Sequence, residues 1–175
     1  AHDNKAVQAA YEMLTGNIHI LNSRQNLKTF VLTSCNPGEG KTTLAISLAV
    51  SMAGAGWKVL LVDADMRKPK AAKRLNEGSP FGLSDYLAGN KEYNEVIDET
   101  NIPKLKYLSC GSLNLNQVEL LCSARFEELL AQISGEYDFV IFDAPALETV
   151  VDATIIAAKV DATLLVVKRG STKLA

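Results

Sequence analysis

Histidine is almost missing from these 175 residues, with two, and the three cysteines, Cys35, Cys110 and Cys122, lie far apart along the chain. Such spacing makes neither a close metal-ligand pair nor an even disulfide framework, which argues against a zinc module or a stapled secreted scaffold and leaves reduced thiols. An excess of charge of one sign is also lacking: 18 basic and 20 acidic residues give a net charge of −2. A nucleic-acid binder would carry a basic footprint, so none is expected as partner. No apolar run approaches the roughly 20 residues of a membrane helix, and no charged-then-apolar signal segment opens the chain, so direct membrane insertion is not expected. Repeats and low-complexity tracts are absent as well.

What is present is a core-forming chain, 47% hydrophobic, of the size of one α/β domain. Residues 1–27 are polar and weakly periodic, with a helix expected within "AVQAAYEMLTGNIHIL", and read as a helical lead-in. From residue 28 to 175 the chain alternates apolar runs with helical stretches: "TFVLTS", a helix from Thr42 to Ala53 closed by Gly54 or Gly56, then "KVLLVDA". A short helix near "GLSDYLAG", a strand at "LKYLS", one helix from Val118 to about Ile133, the run "YDFVIFDAP", a helix in "VVDATIIAAK" and the strand "ATLLVV" follow. Branched apolar runs with little alternation, separated by helices, predict a doubly wound, mainly parallel α/β sheet with helices on both faces. The chain starts without Met and stops soon after an apolar strand, so either end is expected to be a cut from something longer.

The stretch "SCNPGEGKTT", residues 34–43, stands between the first strand and the first helix of that pattern. Small residues there let backbone N–H groups converge on phosphate oxygens at a helix N-terminus, whose positive end adds to the attraction. Gly38 and Gly40 supply that freedom, and Asn36, Pro37, Glu39 and Thr43 complete the cradle. Lys41 is expected to reach the β- and γ-phosphates, and the Thr42 hydroxyl to ligate Mg²⁺. The strict phosphate-loop pattern has Gly where this chain has Cys35; the plain alternative is a Gly-rich turn that only caps a helix. "VLLVDAD" places Asp63 and Asp65 just past one strand, and "FVIFDAP" places Asp143 at the end of another, where open α/β sheets bind their ligands. Carboxylates beside a nucleotide make sense with Mg²⁺ between them, Asp143 being a ligand directly or through water. Each aspartate alone could be a helix N-cap; all three together fit that poorly.

Lys41 with Thr42, then "LLVDADMRKP", then "YDFVIFDAP", resemble in order and spacing the bacterial tyrosine kinases that control capsule and exopolysaccharide synthesis. The resemblance continues through "GLSDYLAGN", "LKYLSCGSLNLNQVELLCSARFEELL" and "VVDATIIAAKVDATLLVV", and so covers nearly everything from Lys28 onward. It implies a deviant Walker P-loop NTPase domain that transfers the γ-phosphate of Mg-ATP to tyrosine, with ATP and Mg²⁺ as cofactors. Division-site and chromosome-partitioning ATPases of the same wider class typically have a second lysine where this chain has Asn36. The absence of that lysine, together with Asp63, Asp65 and Arg67, favours the kinase branch. By resemblance, Lys41 holds the phosphates, Thr42, Asp143 and Asp65 serve the metal, and Asp63, with Asp65 sharing the task, orients the tyrosine and takes its proton. A Lys41→Met change is then expected to abolish transfer with the fold intact. The resemblance also implies a membrane-anchored adaptor of polysaccharide export, which would hold the protein at the inner face of the cell membrane from the cytoplasmic side, and self-association.

Departures from the family matter too. Its Glu-x-x-Arg-x-x-Arg assembly motif falls here on Ala9, Glu12 and Thr15, without either arginine, and the family's final helix, strand and tyrosine cluster have no counterpart before Ala175. Tyr11, Tyr86, Tyr93, Tyr107 and Tyr137 are scattered and read as structural. These departures favour an alternative, an ATP-binding regulatory switch or weak ATPase serving as an assembly subunit. The basic run Arg67, Lys68, Lys70, Lys73 and Arg74 reads as a solvated helix start.

Overall fold

The structure, a computed structural model, describes residues 2–66, 79–112, 116–147, 151–168 and 170. Their elements run α1 (His2–Gln25), β1 (Thr29–Ser34), α2 (Lys41–Gly54), β2 (Val59–Asp63), α3 (Leu83–Leu87), α4 (Tyr93–Val96) and β3 (Ile97–Glu99). After these come β4 (Leu105–Leu108), α5 (Gln117–Leu121), α6 (Ala124–Glu136), β5 (Phe139–Asp143), α7 (Asp152–Ala157) and β6 (Ala162–Val166). The sheet order is β3-β4-β2-β5-β1-β6. All pairings are parallel except β3 with β4. The parallel, doubly wound expectation therefore holds, with one short antiparallel strand at its edge.

Side chains alternate across the central strands and so divide the core into two layers. Val31, Leu60, Val62, Val140 and Phe142 face Leu83, Leu121, Phe126, Leu129 and Ile156 of α3, α5, α6 and α7. Leu32, Val59, Leu61, Tyr107, Phe139 and Ile141 face Ile18 of α1 and Ala45, Leu48, Ala49 and Met52 of α2. The α2 contacts recur at i, i+3, i+4 and i+7, the stripe a helix must have to lie on a sheet. Gly56, at φ 97°, takes the left-handed position beyond α2. The Trp57 N–H then bonds the Met52 carbonyl at 3.2 Å, the long-range bond of a glycine-terminated helix. Of the two candidate terminators Gly56 makes the turn, while Gly54 is the last helical residue.

Two segments differ from expectation. The single helix over Val118 to Ile133 is two helices, because Ser123 is extended (φ −76°, ψ 159°) and its Oγ bonds the Leu120 carbonyl at 2.6 Å. That side-chain bond replaces the one helix continuation would have made. The strand Ile97–Glu99 follows α4 directly and carries three half-buried or exposed residues, too short to show a period. The lead-in helix is longer than expected and lies on α2. Thr15 is buried, and its Oγ1 lies 3.0 Å from Ser51 Oγ and donates to the Tyr11 carbonyl at 2.8 Å.

Candidate active site

The strand period that builds the two layers also aims the acidic groups. On β2, Val59 and Leu61 face α2, and the next residue on that face is Asp63; on β5, Phe139 and Ile141 lead in the same way to Asp143. Parallel pairing puts Asp63 directly in register with Asp143, on neighbouring strands about 4.8 Å apart. Both carboxylates thus sit at the carboxyl end of the sheet, on the side where α2 begins. The backbone tightens this corner: Ala64 N–H donates to the Asp143 carbonyl at 2.9 Å, and Ala144 N–H to the Leu32 carbonyl at 3.0 Å.

The phosphate-loop candidate closes the same corner from β1. Gly38 and Gly40 have φ of 79° and 81°, and neither would crowd a Cβ, so it is the left-handed backbone and not lack of space that calls for glycine. Ser34 Oγ donates to the Asn36 carbonyl at 2.8 Å, and the Asn36 N–H donates to Glu39 Oε2 at 3.2 Å. One loop amide therefore already engages an anionic oxygen. Pro37, Gly38, Gly40 and Thr43 are exposed, and Asn36, Glu39, Lys41 and Thr42 half-buried. The first turn of α2 carries no acidic side chain. That leaves its positive end to an anion.

Lys41 bridges the two halves, its Nζ ion-paired to Asp143 Oδ1. Asp63 is 1% exposed, Asp143 2%. Asp63 Oδ1 accepts the Asp65 N–H at 3.0 Å, and Asp65 itself is half-buried. Burial first, and then the facing Asp143 charge, push the Asp63 carboxyl from the usual 3.8 up to about 7, against the smaller pull of Lys41. Two buried carboxylates in register, one of them paired to the Lys41 ammonium, make an oxygen-rich corner that fits a divalent cation. Among the described residues no group of three or more His, Cys, Asp or Glu side chains can hold a metal by itself. A hard ion seated here would therefore draw further oxygens from Thr42 and from the phosphates of a nucleotide.

The structure thus unites Lys41, Asp63 and Asp143, with Asp65 beside them and Thr42 next to Lys41 in the first turn of α2. Arg67, Lys68, Lys70, Lys73 and Arg74, like the loop at 113–115, lie outside the described residues. Two residues of this corner carried no functional signal in the sequence. Tyr107, read as structural, is registered with Leu61 and belongs to the same face as Asp63. Cys110 is buried, and that burial, helped by Asp63 and then Asp65, pushes its thiol up to about 12, so it is no nucleophile. A strand-pairing register, which no single segment encodes, was needed to find Tyr107, and the burial of the closed core to find Cys110.

Comparison with known proteins bears on this corner. A family described as an AAA domain matches residues 27–171. The tyrosine-protein kinase CpsD of Streptococcus agalactiae is 39% identical over 127 residues, 72% of this chain and 56% of that protein. The chain spans about half the length of the curated relatives of that kind that it matches. The kinase domain of VpsO superposes with a TM-score of 0.83 at 33% identity, covering 99% of this chain and 86% of that one. The septum site-determining protein MinD of Pyrococcus horikoshii, solved with Mg-ADP, superposes with a TM-score of 0.65 at 26% identity over 80% of this chain and 57% of that one. With the glycine loop, its lysine and two strand-end aspartates in one corner of a parallel sheet, the chain belongs to the bacterial tyrosine kinase family of P-loop nucleotide-binding proteins.

Proposed function

We propose that this chain is the ATP-dependent catalytic domain of a protein tyrosine kinase, transferring the γ-phosphate of ATP to a tyrosine hydroxyl, with residues 28–175 carrying the chemistry and residues 1–27 the lead-in. The observation that carries the reading is the corner itself: Lys41 of the glycine loop held against Asp143, with Asp63 in register beside it. Loop amides of residues 38–43 and the Lys41 ammonium hold the triphosphate, Lys41 exchanging Asp143 for the β- and γ-oxygens. Thr42, Asp143 and Asp65 would hold Mg²⁺, which when bound neutralises charge on the terminal phosphates.

The tyrosine oxygen attacks the γ-phosphorus, the bond from that phosphorus to the bridging oxygen breaks, and ADP leaves. The phenolic proton passes to Asp63. A carboxylate raised to about 7 is a better proton acceptor at neutral pH than an ordinary one. Because Asp63 is buried and Asp65 stands nearer solvent, the hydroxyl enters past Asp65. Beyond the chemistry, family membership supports a role in capsule or exopolysaccharide synthesis, in concert with a membrane-anchored adaptor at the inner face of the cell membrane. Among the described residues no helix is long and apolar enough to cross a membrane.

The test is to incubate the purified chain with Mg-ATP, beside Lys41→Met, with and without a tyrosine-rich peptide, and to look for phosphotyrosine by mass spectrometry. Phosphotyrosine in the parent alone supports the kinase. None under either condition, with nucleotide-dependent association of the chain with itself or an adaptor, establishes the regulatory switch instead.

A further inference from the structure

Tyr107 Oη and Asp63 Oδ2 are both buried, and neither has a hydrogen-bond partner. Tyr107 is 2% exposed and Asp63 1%. Buried polar atoms are paired in the great majority of cases, and leaving one unpaired costs about 1–3 kcal/mol. Here one orphan is a donor, a phenol O–H, and the other an acceptor, a carboxylate oxygen.

They also share a place in the sheet. Register pairs Leu61 of β2 with Tyr107 of β4, and Asp63 lies two residues beyond Leu61 on the same face, about 7 Å further along. A strand side chain leans along the strand direction, and a tyrosine is long enough to span that offset. Burial, and after it the Asp63 carboxylate ahead of any other charge, holds the Tyr107 phenol far above the ordinary tyrosine range. Asp63 is thus the foremost ionic neighbour of this hydroxyl.

We propose that Tyr107 is a positioning residue for Asp63: its hydroxyl donates to one bridging water that donates in turn to Asp63 Oδ2, and so fixes the plane of that carboxyl. Asp63 is then held at both oxygens, Oδ1 by the Asp65 N–H and Oδ2 by the water that the phenol fixes. Its second oxygen is aimed by a side chain on a strand that contributes nothing else to the corner. The consequence for catalysis rests on the kinase reading; the pairing itself does not.

A stability cycle over the parent chain, Tyr107→Phe, Asp63→Ala and the double variant, followed by urea midpoints without nucleotide, tests the pairing. If the hydroxyl holds Asp63, Tyr107→Phe lowers the midpoint in the parent and leaves it unchanged or raised in the Asp63→Ala background. If Tyr107→Phe raises the midpoint in both backgrounds, the hydroxyl is a plain buried orphan and the proposal is overturned. The catalytic consequence is read from phosphotyrosine formation: kcat of Tyr107→Phe falls by about tenfold with KM for ATP unchanged, as misorientation of one group requires. A Tyr107→Phe protein with the parent's kcat overturns the positioning role. A parent that makes no phosphotyrosine counts against the kinase reading alone, since the stability cycle decides the pairing on its own.

Discussion

Removing the charge of Asp63 is expected to stabilise this protein, and to do so only above mildly acidic pH. The carboxyl is held at about 7 in the fold against the usual 3.8, chiefly because burial strips its water and secondly because Asp143 faces it. Between those two values the folded chain keeps a proton that the unfolded chain has released. Stability therefore falls as pH rises from about 4 to about 7, by roughly 1.4 kcal/mol per pH unit for one proton, and levels off beyond. Taken over that whole interval, the slope sets a ceiling of about 4 kcal/mol on the penalty at pH 8. Asp63→Asn has nearly the same shape and no charge, so its advantage over the parent should be small at pH 4 and approach that ceiling at pH 8. Urea midpoints of the two proteins at pH 4, 5, 6, 7 and 8, in chelator and without nucleotide, measure it, and subtracting one curve from the other removes all other titrating groups. A difference that stays flat from pH 5 to pH 8 would refute the idea that a charged Asp63 is costly here.

Lys41→Met should stop phosphotyrosine formation, but with a weakened fold rather than an untouched one, because it strips the ammonium from a carboxylate that is 2% exposed. Breaking a buried pair from one side costs about 3–5 kcal/mol, so the urea midpoint should drop visibly; an unchanged midpoint would show that the pair contributes nothing. Gly82→Ala should damage the fold more than a surface change can, since its Cβ would lie 2.2 Å from the Ser109 carbonyl oxygen and 2.6 Å from Gly111 N. Circular dichroism and thermal melting of that variant should show loss of at least about 1–3 kcal/mol, and a parent-like melt would mean that the α3 segment slides freely over residues 109–111.

Much of this protein was legible one segment at a time. The branched apolar runs with helical stretches between them pointed to a covered parallel sheet, and "GEGKTT" after such a run to a loop for an anion, with a plain helix-capping turn as the alternative. Asp63, Asp65 and Asp143 announced themselves as strand-end carboxylates for the same reason, because position relative to a strand is a local property. The break at Ser123 and the edge strand Ile97–Glu99 were not legible, since a side-chain bond and a neighbouring strand, not periodicity, decide them. The pairing of Lys41 with Asp143 and the face shared by Tyr107 and Asp63 belong to tertiary structure alone. They depend on β5 lying between β1 and β2 and on β4 pairing outside β2. Strand order and register are settled by the whole core closing at once, and burial, which lifts Asp63 towards neutrality, exists only after it has closed.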